Sequence, residues 1–218
     1  MKRLLVALFL LVIVTLPPLT AWAQEPNGYR ETFDDSTLPE WEHSRETVVV
    51  DGVLRMDPGN FALRFGDWSE ITLTVKVLYS GQGEVVINYY FRDEHKYGLF
   101  LHDGEVILEK EQDRSPTPLG SGAAPAIQPD TWFTVKVVVT GGEQQVYVGD
   151  ALVLTANDTD PLDTGAVLLQ VFGEATAQFD DLEVRGRAGE GPPPPEPVAQ
   201  EGEERAQPPD VQGSVAPE

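Results

Sequence analysis

Three carboxylates stand at alternate positions in the run Glu109-Lys110-Glu111-Gln112-Asp113. On a strand, where each residue advances the chain by about 3.3 Å, that spacing puts Glu109, Glu111 and Asp113 on one face with neighbours about 7 Å apart. Paired carboxylates are what glycoside hydrolysis requires, one to protonate the leaving oxygen and one to act as base or nucleophile. The same run also suits a solvated strand end, and both readings stay open at this point. Other chemistries find less support. The chain has no cysteine and so no thiolate. Its three histidines, His43, His95 and His102, lack metal-ligand spacing, and there is neither a Ser-His-Asp context nor a glycine-rich phosphate loop.

The stretch from Val85 to Arg92 carries a different possibility. A sugar presents an apolar ring face that stacks on aromatic side chains and a rim of hydroxyls that asks for donors and acceptors. Strand alternation gives Val85, Ile87, Tyr89 and Phe91 to one face, read here as core, and Val86, Asn88, Tyr90 and Arg92 to the other. Asn88, Tyr90 and Arg92 are thus candidate ligand-binding residues. They are joined either by Tyr97 or by Phe100 and His102 of the next strand, according to a register that the turn leaves open. The competing reading is that Tyr90 covers the sheet and Arg92 pairs with a local acid. Near the end of the chain Asp180, Leu182 and Val184 alternate onto one face, so Asp180 is expected level with an apolar side, where an unpaired carboxylate is costly. A bound cation or local backbone N–H groups would satisfy it.

The elements that position these residues read as strands throughout. From Trp132 to Thr155 two alternating runs joined at Gly141-Gly142, and a third after Gly149-Asp150, predict a three-strand meander in which Phe133, Val135, Val137 and Val139 form a wholly apolar face. Such a face must be buried against a second layer. Thr47 to Val50 and Val53 to Met56 flank Asp51-Gly52, a preferred hairpin turn. Phe61 to Phe65, Ile71 to Tyr79, Val85 to Arg92, Tyr97 to Leu101 and Val106 to Lys110 follow as strands, and Gly165 to Phe172 and Ala177 to Val184 close the series. The piece from Asp113 to Asp130, with Pro116, Pro118, Pro125 and Pro129, is expected to be a surface loop. This spacing of strands without a helical segment predicts an all-β, two-sheet antiparallel sandwich in a single domain.

Composition bounds the surroundings. Lys2-Arg3, the apolar run Leu4 to Val14 and Ala21-Trp22-Ala23 predict a signal peptide over residues 1–23, hence secretion to an extracellular or periplasmic place with no membrane insertion after its removal. The domain is expected over residues 24–187. From 188 to 218 Gly, Pro, Glu and Gln dominate, which predicts a disordered acidic tail. The formal net charge of -21 makes nucleic acid and anionic lipid poor partners, since both repel an acidic surface. Neutral glycans, cations and extracellular protein partners remain.

Phe33-Asp34-Asp35, the run Phe91-Arg92-Asp93-Glu94-His95-Lys96-Tyr97, Asp130-Thr131-Trp132, Gly149-Asp150 and Phe179-Asp180-Asp181-Leu182-Glu183-Val184 together resemble the concanavalin A-like jelly roll, in particular its laminin-G-like and 3-keto-disaccharide-hydrolase-like domains. The resemblance spans about Glu31 to Arg185. It implies two curved antiparallel sheets with glycans bound or hydrolysed on the concave side, and many relatives that are non-catalytic modules. Superfamily glucanases carry a Glu-x-Asp-x-Glu strand, which Glu109-Lys110-Glu111-Gln112-Asp113 resembles with its residue types permuted. Their Asp-x-Val-x-Val ending helps to hold calcium near the N-terminal strand, and Asp180-x-Leu182-x-Val184 is similar, so Asp34 and Asp180 are the implied ligands of a structural Ca2+. The function expected is a secreted non-catalytic carbohydrate-binding or extracellular interaction module, with a secreted glycoside hydrolase of the 3-keto-disaccharide type as the alternative.

Overall fold

The structure, a computed structural model, describes residues 27–188. The expected signal peptide (1–23) and acidic tail (188–218) lie outside the described residues, except that Ala188 ends the last strand. The fold is the all-β, antiparallel jelly-roll sandwich expected, and a single twenty-residue strand, β5 (Phe61–Ser80), belongs to both of its sheets. Residues 61–68 of β5 pair on one side with β13 (Gly165–Gly173) and on the other with β2 (Trp41–His43). The front sheet continues from β13 through β6 (Gly83–Arg92), β7 (His95–His102) and β8 (Glu105–Gln112) to β9 (Ser115–Ala123). Residues 68–80 of β5 pair with β10 (Phe133–Thr140) and β14 (Thr176–Ala188), and the back sheet extends through β11 (Glu143–Val148) to β12 (Ala151–Asn157). Beyond β14 lie β1 (Asn27–Glu31) and β4 (Val53–Met56), with β3 (Val48–Val50) on β4.

The strand crosses between layers where its sequence allows. Gly66 carries no side chain, and a Cβ there would stand 2.3 Å from the Trp68 ring, which folds over it and is itself buried. Glu70 follows with φ 47°, opposite a register shift in β14. The sequence suggests two strands, Phe61 to Phe65 and Ile71 to Tyr79, where the structure has one. Hydrogen bonding runs through the bend because a different partner takes over on either side of it.

The core lies between the inner faces of the two sheets. Leu73, Val75 and Val77 of β5 and Val135, Val137 and Val139 of β10 meet Val85, Ile87 and Tyr89 of β6 and Leu99 and Leu101 of β7, all essentially inaccessible. Each such aliphatic side chain contributes about 1.5–3 kcal/mol by leaving water. The expected meander is present, with Val139 opposite Gln144 across Gly141-Gly142 and φ 56° at Gly141. Asp51 and Gly52, both at positive φ, make the expected hairpin. The proline-rich stretch is not a loop throughout. Residues 115–123 form β9, in which Pro116 and Pro118 oppose Glu111 and Glu109. The strand order ends at β9, and an edge strand tolerates residues that cannot donate to a ladder.

Candidate functional site

The outer face of the front sheet is a packed layer of its own. Alternation on β13 sends Val167, Leu169 and Val171 inward and Leu168, Gln170 and Phe172 outward. Register then sets Leu168 beside Leu63 and Asn88, and Gln170 beside Phe61 and Val86. On the far side of β6, Asn88 stands opposite Gly98 and Val86 opposite Phe100, while β8 adds Ile107, Glu109 and Glu111. Phe61, Phe91 and Phe100 are half-buried, and Leu63 and Leu168 form an apolar cluster with Ala166. Between these rings stand amide and carboxylate groups: Asn88 Nδ2 donates to Gln170 Oε1 at 3.0 Å, and Glu109 faces Gly98 across the ladder.

Of the four candidate ligand-binding residues, the structure keeps only Asn88 on this face, and there it is fully buried. Tyr90 sits at φ 54° in a β-bulge that shifts the pairing of β6 with β7 between Tyr89 and Arg92. The extra residue breaks the alternation. Tyr90 therefore turns inward, edge-on to Tyr89 at 5.9 Å, and burial pushes its phenol up to about 12 although backbone hydrogen bonds at Ile71 and Glu70 oppose the shift. Phe91, assigned to the core by strict alternation, moves outward for the same reason. Tyr97 is also a core residue, stacked on Tyr89 at 5.3 Å, and the register selects Phe100 and His102 as its outward-facing neighbours. Arg92 is exposed, but its guanidinium is held by Asp67 and by Thr164 Oγ1 at 2.9 Å. It borders a cleft of about 190 Å³ between the β6–β7 turn and the loop before β13, shared with His95, Asp163 and Thr164.

The carboxylate row is shorter than expected. Glu109 and Glu111 share the outer face, but β8 ends at Gln112, and Asp113 occupies a turn at φ 51° with an almost fully exposed side chain, 3.6 Å from His95 Nε2. Glu111 is paired with Lys96 at 2.8 Å, and among the described residues Glu109 has no ion pair. Lys110, on the inner side of β8, is buried. Its Nζ lies 2.9 Å from Asp158 Oδ2, which also accepts from the Tyr97 hydroxyl at 2.7 Å. Burial acts to raise the Asp158 carboxyl, but the Asp160 N–H, Tyr97 and Lys110 outweigh it and hold the group below its ordinary value.

The implied calcium ligands, Asp34 and Asp180, each have another partner among the described residues. A second bulge, with Asp181 at φ 46°, shifts β14 against β5, so that Phe179, Leu182 and Val184 all point inward while Asp180 and Asp181 both stay partly exposed. Asp180 is thus not level with the apolar face. It lies 3.8 Å from Lys76 Nζ, whose closer partner is Asp181 at 2.5 Å. Asp34 accepts from Thr32 Oγ1 at 2.7 Å. Among the described residues no group of three or more His, Cys, Asp or Glu is placed to hold a metal ion.

Sequence reasoning missed Phe61, Phe91, Gly98 and Gln170 as parts of one surface, and Lys110 with Asp158 as a buried pair. One signal was present: residues 165–172 are an almost unbroken apolar run, which marks a strand buried on both faces.

Over residues 28–185 the chain matches the model of a family described as the 3-keto-alpha-glucoside-1,2-lyase-like domain. Among curated proteins none matches it in sequence. Among solved structures it is similar to the carbohydrate binding module CBM66 from Bacillus subtilis, at 17% identity and TM-score 0.54, covering 72% of this chain and 95% of that one. A Bacillus subtilis protein of unknown function with a galectin-like fold is similar at 13% identity and TM-score 0.63, covering 75% and 97%. The Bacillus licheniformis beta-glucanase is similar at 10% identity and TM-score 0.60, covering 73% and 97%. At such identities the likeness is one of fold.

Proposed function

The chain belongs to the 3-keto-alpha-glucoside-1,2-lyase-like domain family, and we propose that it is an exported module that recognises a neutral carbohydrate, of the α-glucoside class, on the outer face of its front sheet. The observation that carries this reading is the composition of that face, which Phe61, Phe91 and Phe100 share with the amides of Asn88 and Gln170 and the carboxylate of Glu109. Aromatic rings give a sugar's apolar side something to stack on, and the amides and carboxylate answer its hydroxyls. The acidic surface disfavours anionic polymers but not uncharged sugars. Similarity in fold to a carbohydrate binding module supports the reading.

One observation favours a second, catalytic reading. Glu109 stands on the same face, opposite Gly98, and among the described residues it has no ion pair. In a sugar oxidised at C3, the ketone acidifies the proton on C2. A carboxylate could take that proton as the C1–O bond breaks, the C2–H electron pair forming the C1=C2 double bond and the leaving oxygen keeping its own pair and collecting a proton. Glu109 would be the base. A glycan array run beside a release assay on a 3-keto-α-glucoside separates the two. Binding without release supports the module. Release that disappears in Glu109→Gln supports the lyase, and neither binding nor release contradicts both.

A further inference from the structure

Asn88 Oδ1 is a buried acceptor with no hydrogen-bond partner among the described residues. The other end of the amide fixes its direction: Nδ2 donates to the Leu168 carbonyl at 3.1 Å and to Gln170 Oε1 at 3.0 Å. Turning the amide round would lose the Leu168 bond and set oxygen against oxygen. Oδ1 therefore faces away from β13, toward β7. The residue opposite is Gly98, and a Cβ placed on it would stand 3.4 Å from Oδ1 and 3.1 Å from the edge of the Phe100 ring. The edge of the Phe100 ring lies over the glycine, and moving the ring aside would open a hollow there. Among the described residues three other buried side-chain atoms lack partners, Arg64 Nε, Tyr79 Oη and Gln144 Nε2, but each belongs to the inner side of its strand.

An acceptor removed from water and left unpaired opposes folding, so its presence on an outward face calls for a reason outside the fold itself. We infer that Asn88 Oδ1 is the hydroxyl-reading acceptor of the carbohydrate face, screened in the free protein by the Phe100 ring, which swings aside to admit one sugar unit into the hollow above Gly98. This rests on the assignment of the face to carbohydrate. An amide oxygen can only accept, so the unit it selects presents a hydroxyl at this point and not a carbonyl. Gly98 supplies the space, Phe100 supplies a ring face once displaced, and Glu109, opposite Gly98 on β8, borders the hollow from the far side.

The test is titration calorimetry of the full chain with methyl α-glucopyranoside and its four monodeoxy analogues, with melting temperatures recorded in parallel. Gly98→Ala keeps Asn88 and both of its bonds but fills the hollow, at a backbone position outside the left-handed region and against a ring edge that can yield. Asn88→Leu removes the acceptor. Phe100→Leu uncovers it. In the wild type one deoxy analogue is expected to bind at least about tenfold more weakly than the parent, because its absence leaves Oδ1 unpaired. Gly98→Ala and Asn88→Leu should bind the parent at least about tenfold more weakly and treat that analogue like the others, Gly98→Ala without a lowered melting temperature, while Phe100→Leu keeps the discrimination. Wild-type binding that both Gly98→Ala and Asn88→Leu leave unchanged would overturn the inference and spare the face. A wild type that binds neither the glucoside nor any member of a glycan array would overturn both.

Discussion

Lys110 and Asp158 form a charge pair whose side chains are only 7% and 8% exposed, and it ties the loop entering β13 to the inner side of β8. The Asp160 N–H on Asp158 Oδ1 at 2.9 Å and the Leu162 N–H on the Tyr97 hydroxyl at 3.0 Å complete the clasp. Removing one partner leaves the other charge buried, so Lys110→Met is expected to destabilise the domain by about 3–5 kcal/mol in denaturant unfolding, whereas Lys110→Met with Asp158→Leu costs less than either change alone. The pH dependence has a definite sign. The Asp158 carboxyl is held below its ordinary 3.8 in the folded state, so its contribution is complete above that value and is lost as pH falls through the lower, folded one. Acid unfolding of the wild type should therefore steepen below about pH 4, and Asp158→Asn should flatten that limb in melts recorded across pH.

At the scale of elements, the points where sequence and structure part are bulges and an edge. Alternation correctly divides β10, and it divides β6 as far as Tyr89, because a half-buried strand repeats every two residues. It fails at Tyr90 and Asp181, each an inserted residue at positive φ, because a bulge is defined by two residues opposing one on a partner strand that the local sequence does not name. That single slip at Tyr90 exchanges the roles of Tyr90 and Phe91, and with them half of the predicted ligand face. The register of β7 likewise depends on the turn at Asp93 and Glu94, whose length the local sequence does not fix, so Tyr97 and Phe100 compete for the same role in the sequence alone. Prolines misdirected the reading of β9, whose place at the edge follows only from the assembled sheet. That edge also meets β12, where a Cβ on Gly122 would stand 2.0 Å from the Val153 carbonyl oxygen. Backbone cannot yield as a ring edge can, so Gly122→Val is expected to lower stability by about 1–3 kcal/mol in chemical denaturation, with the loss read also as faster amide exchange along β9 and β12.

For the whole molecule, the decisive features are a strand shared by both layers and a formal charge of -21. Because β5 carries hydrogen bonds for both sheets, neither is complete without the other, and unfolding should be one cooperative transition by fluorescence and by circular dichroism. The charge bears on ligands. Affinity for an uncharged glucoside is expected to stay within a factor of two or so between low and high salt, since no ion pair with the ligand is there to be screened, whereas polyanionic glycans should bind only weakly and only at high salt. The central claim, that the outer face of the front sheet receives carbohydrate, is tested most directly by mapping amide chemical shifts while methyl α-glucopyranoside or a maltooligosaccharide is titrated into the isotope-labelled chain. Shifts concentrated at Asn88, Gly98, Phe100, Glu109, Leu168 and Gln170, and abolished by Gly98→Ala, are the predicted result; a wild-type spectrum that responds only on the back sheet or at the β6–β7 cleft, or not at all, would contradict it.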